Sequence, residues 1–217
     1  MSEKFFQIAI DGPSGAGKST VAKAVAKKLG IDYIDTGAMY RALGLKLLRN
    51  NIGMDEVEKI KAVLDETEID ICQGDILLDG EIVSGLIRTP EVSMAASACS
   101  AHGFVREKLV KAQQKMGESK SVIMDGRDIC EVVFPNAEYK YYVTATDEER
   151  ARRRYKELIE KGEETSFEET LASIRERDYN DSHRAASPLR QAEDAELLDT
   201  TDMTIDEVVD YICGKVK

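Results

Sequence analysis

Gly12-Pro13-Ser14-Gly15-Ala16-Gly17-Lys18-Ser19 fits the pattern G-x-x-x-x-G-K-S with no mismatch. The spacing has a mechanical purpose. Glycines let the backbone curl so that several N–H groups point at one anion. A helix starting at Lys18 would add the positive end of its dipole. The flanks agree with this. Phe6-Gln7-Ile8-Ala9-Ile10 reads as a short apolar strand ending in Asp11. Beyond the loop, Val21, Ala22, Val25, Ala26 and Leu29 recur at helical spacing, and Gly30 marks a stop. Strand, glycine-rich turn and helix in this order predict a phosphate-binding loop, with Gly12 to Ser19 and Thr20 around a nucleotide polyphosphate. Lys18 would reach the β- and γ-phosphates and the Ser19 hydroxyl would ligate Mg²⁺.

The remaining pattern predicts an α/β fold: a three-layer α/β/α phosphate-loop domain with a parallel central sheet and right-handed crossovers. Between Glu68 and Val83 the period changes to short strand-like runs with turns at Gly74 and Asp79-Gly80, which predicts a small inserted antiparallel sheet. Helices are expected from Thr36 (as cap) through Leu48, over 55–66, from Thr89-Pro90 onward, over 105–116, and over 147–185 with a break near Gly162. Ser121–Met124 reads as a buried strand delivering Asp125-Gly126-Arg127-Asp128, and Tyr139–Ala145 and Leu197–Thr200 as two more. Thr204 and Glu207 form a capping box for a last helix. The expected organisation is one domain, 1–217. Its core would be 1–35, 118–147 and 185–217, its monophosphate-binding region 36–117, and 148–184 a helical lid with flanking helices.

The chain has 217 residues, 42% of them hydrophobic and 33% charged, with a net charge of −11. That balance opposes a broad nucleic-acid or membrane surface, so an anionic ligand must be held by local groups of Arg and Lys. Cys72, Cys99, Cys130 and Cys213 are scattered, and with His102 and His183 they make no zinc pattern. Free thiols point to a reducing compartment. Met1-Ser2-Glu3-Lys4 stands directly before the first strand, so no leader and a cytoplasmic location are expected. A single arginine is usually a solvated ion pair. Arg127, directly after a buried strand, rises above that reading. So do Arg175, Arg177 and Arg184, which share a segment with Asp178 and Asp181. Arg150 to Arg154 read as a plain charged helix beside Glu148, Glu149 and Glu157. An arginine-rich site without an obvious base suits a phosphate acceptor, which is already an anionic nucleophile at neutral pH.

Ile10 to Ser19, Asp35-Thr36-Gly37-Ala38-Met39-Tyr40-Arg41, Ile87-Arg88-Thr89-Pro90-Glu91-Val92, Val105-Arg106-Glu107, Asp125-Gly126-Arg127-Asp128 and the Arg177 to Arg184 block occur in the order seen in bacterial cytidylate kinases, which the chain resembles from about residue 7 to its end. The resemblance implies ATP-dependent phosphorylation of CMP or dCMP with Mg²⁺, in pyrimidine metabolism, by a monomer. A kinase for another nucleoside monophosphate or small molecule is the alternative. By position, Ser97, Arg106 and Asp128 would recognise cytosine. Arg41, Arg127 and Arg184 would hold the acceptor phosphate, with Thr36 nearby, and Arg177 and Asp181 the sugar. Lid arginines from Arg152 to Arg154, Arg153 among them, would join Lys18, Arg127 and Arg184 at the transferring group. Three positions depart from the family: Ser19 where Gly is frequent, Thr36 where Ser is common, and Ile129-Cys130-Glu131 where Met-Gly-Thr is usual. The Glu131 carboxylate has no evident purpose at this level.

Overall fold

The computed structural model describes residues 5–72 and 74–216. The four N-terminal residues, on which the expected absence of a leader rests, lie outside that range. In chain order the elements are β1 (Gln7–Asp11), α1 (Lys18–Leu29), β2 (Asp32–Asp35), α2 (Thr36–Arg49), α3 (Val57–Asp65), β3 (Ile69–Cys72), β4 (Asp75–Leu78), β5 (Glu81–Ile82), α4 (Pro90–Cys99), α5 (Gly103–Met116), β6 (Val122–Gly126), β7 (Tyr139–Thr144), α6 (Asp147–Glu160), α7 (Phe167–His183), β8 (Glu196–Asp199) and α8 (Ile205–Lys215). A wide turn at Ile129–Val133, closed by a bond from the Phe134 N–H to the Ile129 carbonyl at 2.7 Å, follows β6. Two compact units result. One is made of the chain up to Tyr33 and from Ser119 onward, the other of Ile34–Glu118.

The first unit is built on a five-stranded sheet of order β2-β6-β1-β7-β8. β1 runs parallel to both β6 and β7, with Ile8 opposite Ile123 and Tyr139, and β7 runs parallel to β8. Central parallel strands are covered on both faces, and Ile8, Ala9 and Ile10 have no exposed surface at all. The stripe of Val21, Ala22, Val25 and Ala26 on α1 packs with Val208, Val209 and Ile212 of α8. Gly30 ends α1 in the left-handed conformation, its N–H on the Ala26 carbonyl. The capping box of Thr204 and Glu207 is formed, and a second one, Ser166 with Glu169, starts α7.

In the second unit β3, β4 and β5 form the expected antiparallel sheet, turned at Asp79 and Gly80, both with positive φ. Met39, Leu43 and Leu47 of α2 join Ile60, Cys99, Val105 and Leu109 in a buried cluster. Thr89 caps α4 with Pro90 in its first turn. The expected cap on α2 is corrected. Asp35, not Thr36, fills that place, its carboxylate accepting from the Ala38 N–H at 2.8 Å. An Asp one residue earlier reaches the same orphan amides, and Thr36 becomes a buried first helical residue.

The α2–α4 packing depends on Gly44. A Cβ there would lie 2.9 Å from the Ala96 nitrogen and 3.2 Å from the Val92 carbonyl oxygen, both main-chain atoms that cannot turn aside. Ala at a helical position gains about 1 kcal/mol over Gly. Overpacking costs about 1–3 kcal/mol, and a clash with backbone belongs at the upper end. Gly44→Ala is therefore expected to lower net stability by about 1–2 kcal/mol, read as a reduced thermal unfolding midpoint.

Candidate active site

The loop after β1 is the candidate phosphate-binding loop of the first unit. Gly12 has a φ of 147°, and a side chain there would collide with the Val143 carbonyl oxygen at 1.9 Å, so the loop lies directly on β7. Lys18 is 5% exposed and donates to the Pro13 carbonyl at 2.7 Å, closing the loop on itself. Burial, then the charges of Arg127 and Arg177, hold its ammonium well below the usual lysine range, while Asp125 and Asp11 oppose this.

Ser19 Oγ donates to Asp125 Oδ2 at 2.9 Å, and the Tyr33 hydroxyl donates to Asp125 Oδ1 at 2.7 Å. Asp125 is buried at the carboxyl end of β6. A hydroxyl and a carboxylate side by side next to a phosphate loop are hard oxygen donors suited to Mg²⁺, which takes few protein ligands and keeps several waters. The loop pattern in the sequence points to Ser19 alone for the metal. The strand-end position of Asp125 is the signal that adds it as a candidate.

Beyond β6, Arg127 Nε donates to Asp181 Oδ2 at 2.8 Å and its Nη1 to the Gly126 carbonyl at 3.2 Å. Arg184 lies 3.8 Å from Asp181 Oδ1 and donates through Nε to the Ser187 carbonyl at 2.7 Å. Burial alone would raise the Asp181 pKa. The charge and hydrogen bond of Arg127, with the charges of Arg177 and Arg184, outweigh it and hold the carboxyl below the usual range. Arg127, Arg177, Asp181 and Arg184 thus form one electrostatic group, with Arg177 exposed on α7. Arg175 does not join it. It faces α6, bonding Asp147 at 3.2 Å and Glu148 at 2.8 Å, because it sits on another side of α7.

Asp128 is 7% exposed and heads the wide turn, its carbonyl accepting from Val132 at 2.9 Å. Asp11, at the end of β1, fixes that turn, its two carboxylate oxygens each accepting one N–H, from Ile129 and from Cys130, at 2.8 Å. The Cys130 sulfur lies against the Ala9 and Tyr141 carbonyls, and burial pushes its thiol pKa far up. Glu131 finds its purpose here: Arg190 Nε donates to both of its oxygens, at 3.1 and 2.9 Å.

α6 presents Arg153, which bonds the Thr200 carbonyl at 2.7 Å, the Thr200 hydroxyl at 3.2 Å and Glu149 at 3.1 Å, with Nη1 4.0 Å from a Cβ built on Gly17. Arg152 and Arg154 pair with Glu149 and Glu157, as a charged helix would. Arg150 does not. It is 4% exposed and turned inward.

In the second unit, Arg41 Nη2 bonds Asp35 at 3.0 Å, while its buried Nε has no hydrogen-bond partner among the described residues. The Arg106 guanidinium stands 5.5 Å from the Tyr40 ring centre, and its Nη1 donates to the Ser100 carbonyl at 3.5 Å. Ser100 Oγ in turn donates to the Ser97 carbonyl at 2.8 Å, so Ser97 and Arg106 are linked within this unit, with Thr36 buried at the start of α2.

A family model described as cytidylate kinase matches residues 8–217. The chain belongs to the cytidylate kinase family. Proteins named cytidylate kinase from Caldicellulosiruptor saccharolyticus and Caldanaerobacter subterraneus subsp. tengcongensis are 56% and 54% identical to it, covering 96% and 97% of this chain and 94% of each relative. That of Clostridioides difficile is 48% identical, over 96% of this chain and 97% of its own. Among solved structures, an uncharacterized protein from Eubacterium ventriosum superposes with a TM-score of 0.56 at 15% identity, over 97% of both chains. A gluconokinase from Sinorhizobium meliloti gives 0.52 at 13%, over 97% of this chain and 92% of its own. Those two likenesses speak for the fold alone. Among the described residues no helix is long and apolar enough to cross a membrane.

Burial is the main cause that raises the Asp11 pKa to about 6, and the two amide bonds only partly offset it. A carboxyl raised on folding contributes stability below its unfolded value near 4 that is lost as pH rises through about 6. Asp11→Asn removes this titration. The stability lead of the native chain over the variant should therefore narrow by roughly 2 kcal/mol between pH 4 and pH 7, measured by urea melts at each pH.

Proposed function

We infer that this chain transfers the γ-phosphoryl group of ATP to CMP or dCMP, giving ADP and the nucleoside diphosphate, as a cytoplasmic monomer. The observation that carries the reading is membership of the cytidylate kinase family over almost the whole length.

The residues suit that chemistry. Gly12 to Ser19, with Thr20, cradle the donor polyphosphate, and Lys18 exchanges its bond to the Pro13 carbonyl for phosphate oxygens. Ser19 and Asp125 would hold Mg²⁺, which when bound supplies charge neutralisation on the polyphosphate. A nucleoside monophosphate has its second pKa near 6, so its oxygen is already ionised and no base has to be found. What remains is alignment and charge stabilisation. Arg127 and Arg184, held in place by Asp181, serve the acceptor phosphate and the charge that develops in transfer, and Arg177 with Asp181 serves the sugar. Arg41 has a buried donor ready for an anion, and Thr36 stands five residues before it. Arg153 acts on the donor side, next to Gly17. Residues 148–184 supply the lid with its flanking helices, which keeps water from the transferring group.

Cytosine selection falls to Ser97, Arg106 and Asp128. A carboxylate accepts from the exocyclic amine of cytosine and repels the carbonyl that uracil has in its place. A coupled ADP-release assay over CMP, dCMP, UMP, AMP and shikimate is expected to show the two cytidylates far ahead. Equal rates with the others reject the assignment. In Asp128→Ala the ratio of CMP to UMP efficiency should fall about tenfold or more, and an unchanged ratio removes Asp128 from base selection.

A further inference from the structure

Arg150 and Asp178 are absent from the roles assigned above, yet they form a largely buried ion pair against the loop, with side chains 5% and 19% exposed. Asp178 Oδ1 accepts the Ser14 N–H at 2.8 Å. Arg150 Nη1 donates to the Ser14 carbonyl at 2.7 Å and also to Asp178 Oδ2. Both main-chain polar groups of Ser14 are thereby engaged by one guanidinium–carboxylate pair. Arg150 is itself fixed, with Nε on the Ala145 carbonyl at 3.0 Å and Nη2 on Asp147. The next residue is held by shape. A Cβ on Gly15 would meet the Arg150 carbonyl oxygen at 3.2 Å and Ile174 Cδ1 at 3.3 Å, so α6 and α7 both press on the loop at this point.

The geometry points to Arg150 and Asp178 as positioning residues for the donor site: together they set the Ser14 peptide, and through it the direction in which the following loop amides face. Fixing the N–H and C=O flanking one Cα leaves the backbone there little freedom. Gly15 and Gly17, both in the left-handed region, would otherwise let the loop sample many shapes, and a nucleotide would have to order it on binding. A cradle already shaped before ATP arrives does not carry that cost. The pair comes from the two helices assigned to the lid region, so the same side chains join those helices to the loop. A planar fork is needed, because an ammonium cannot reach the Ser14 carbonyl, Asp178, Asp147 and the Ala145 carbonyl at once.

The inference rests on the reading of Gly12–Ser19 as the ATP loop, and ATP binding by the unaltered chain, measured by calorimetry, checks that reading separately. If the unaltered chain takes no ATP, the loop assignment itself is wrong. With that control positive, the KM values for ATP and CMP are measured separately in Arg150→Lys, Asp178→Asn, Asp178→Glu and the double variant that combines Arg150→Lys with Asp178→Asn. Expected are a rise of tenfold or more in KM for ATP in Arg150→Lys and Asp178→Asn, a KM for CMP within twofold, partial recovery in Asp178→Glu, and a double variant no worse than the poorer single one. A cooperatively folding variant with an unchanged KM for ATP overturns the proposal, as do equal rises for both substrates. Should the variants not fold, amide exchange in the unaltered chain decides. Slow exchange of the Ser14 N–H without nucleotide supports the clamp, and exchange at the rate of an open loop overturns it.

Discussion

The burial of positive charge around a single glycine-rich turn is the constraint on which the first unit depends. Lys18 and Arg150 are 5% and 4% exposed, and Arg127 is largely covered. Removing such groups from water costs several kcal/mol each, and pairing restores that only when the geometry is good. The chain answers with a carboxylate beside each. Asp125 lowers the potential at Lys18, Asp181 holds Arg127, and Asp178 holds Arg150. Replacing buried ion pairs by apolar residues of the same volume is often neutral or stabilising. What they could not do is hold cations in place around that turn.

The parallel sheet explains how these groups assemble. β1, β6 and β7 run in one direction, so the loop after β1, the Asp125–Asp128 segment and the start of α6 all leave the sheet at the same edge. Asp11 adds a second tie there. Lying at the end of β1, it takes both amides of the turn after β6, so the strand that launches the phosphate loop also fixes the residue proposed for cytosine. Tyr33, from β2, steadies Asp125 in the same way.

What the sequence made legible is what local physics governs. The phosphate loop, the Gly30 stop, the Asp79-Gly80 hairpin, the Pro90 helix start and the Thr204 capping box are each written within a few residues, and the parallel core follows from their order. The small sheet showed itself by a change of period. The site was only partly legible, because its important pairs join residues far apart. Nothing near Arg150 tells that its partner carbonyl is Ser14, and its acidic neighbours made it look like any exposed helix arginine. Arg175 shows the complementary point: closeness in sequence to Arg177 does not put it on the same helix side, and it turns to Asp147 and Glu148. Glu131 looked idle until Arg190 was found opposite it. Even the helix cap moved, since Asp35 and Thr36 are both competent and only the backbone entering α2 chooses between them.

The threading of the first unit has a consequence for how the molecule is made. β1 bonds to β6, a neighbour 115 residues later in the chain, and Ile34–Glu118 are emitted in between. During synthesis β1 therefore precedes both of its parallel partners, β6 and β7, by a continuous segment that has its own apolar cluster. Connectivity thus lets the inserted unit close from local contacts, whereas the flanks of the phosphate loop, on β7, α6 and α7, are made later in the chain.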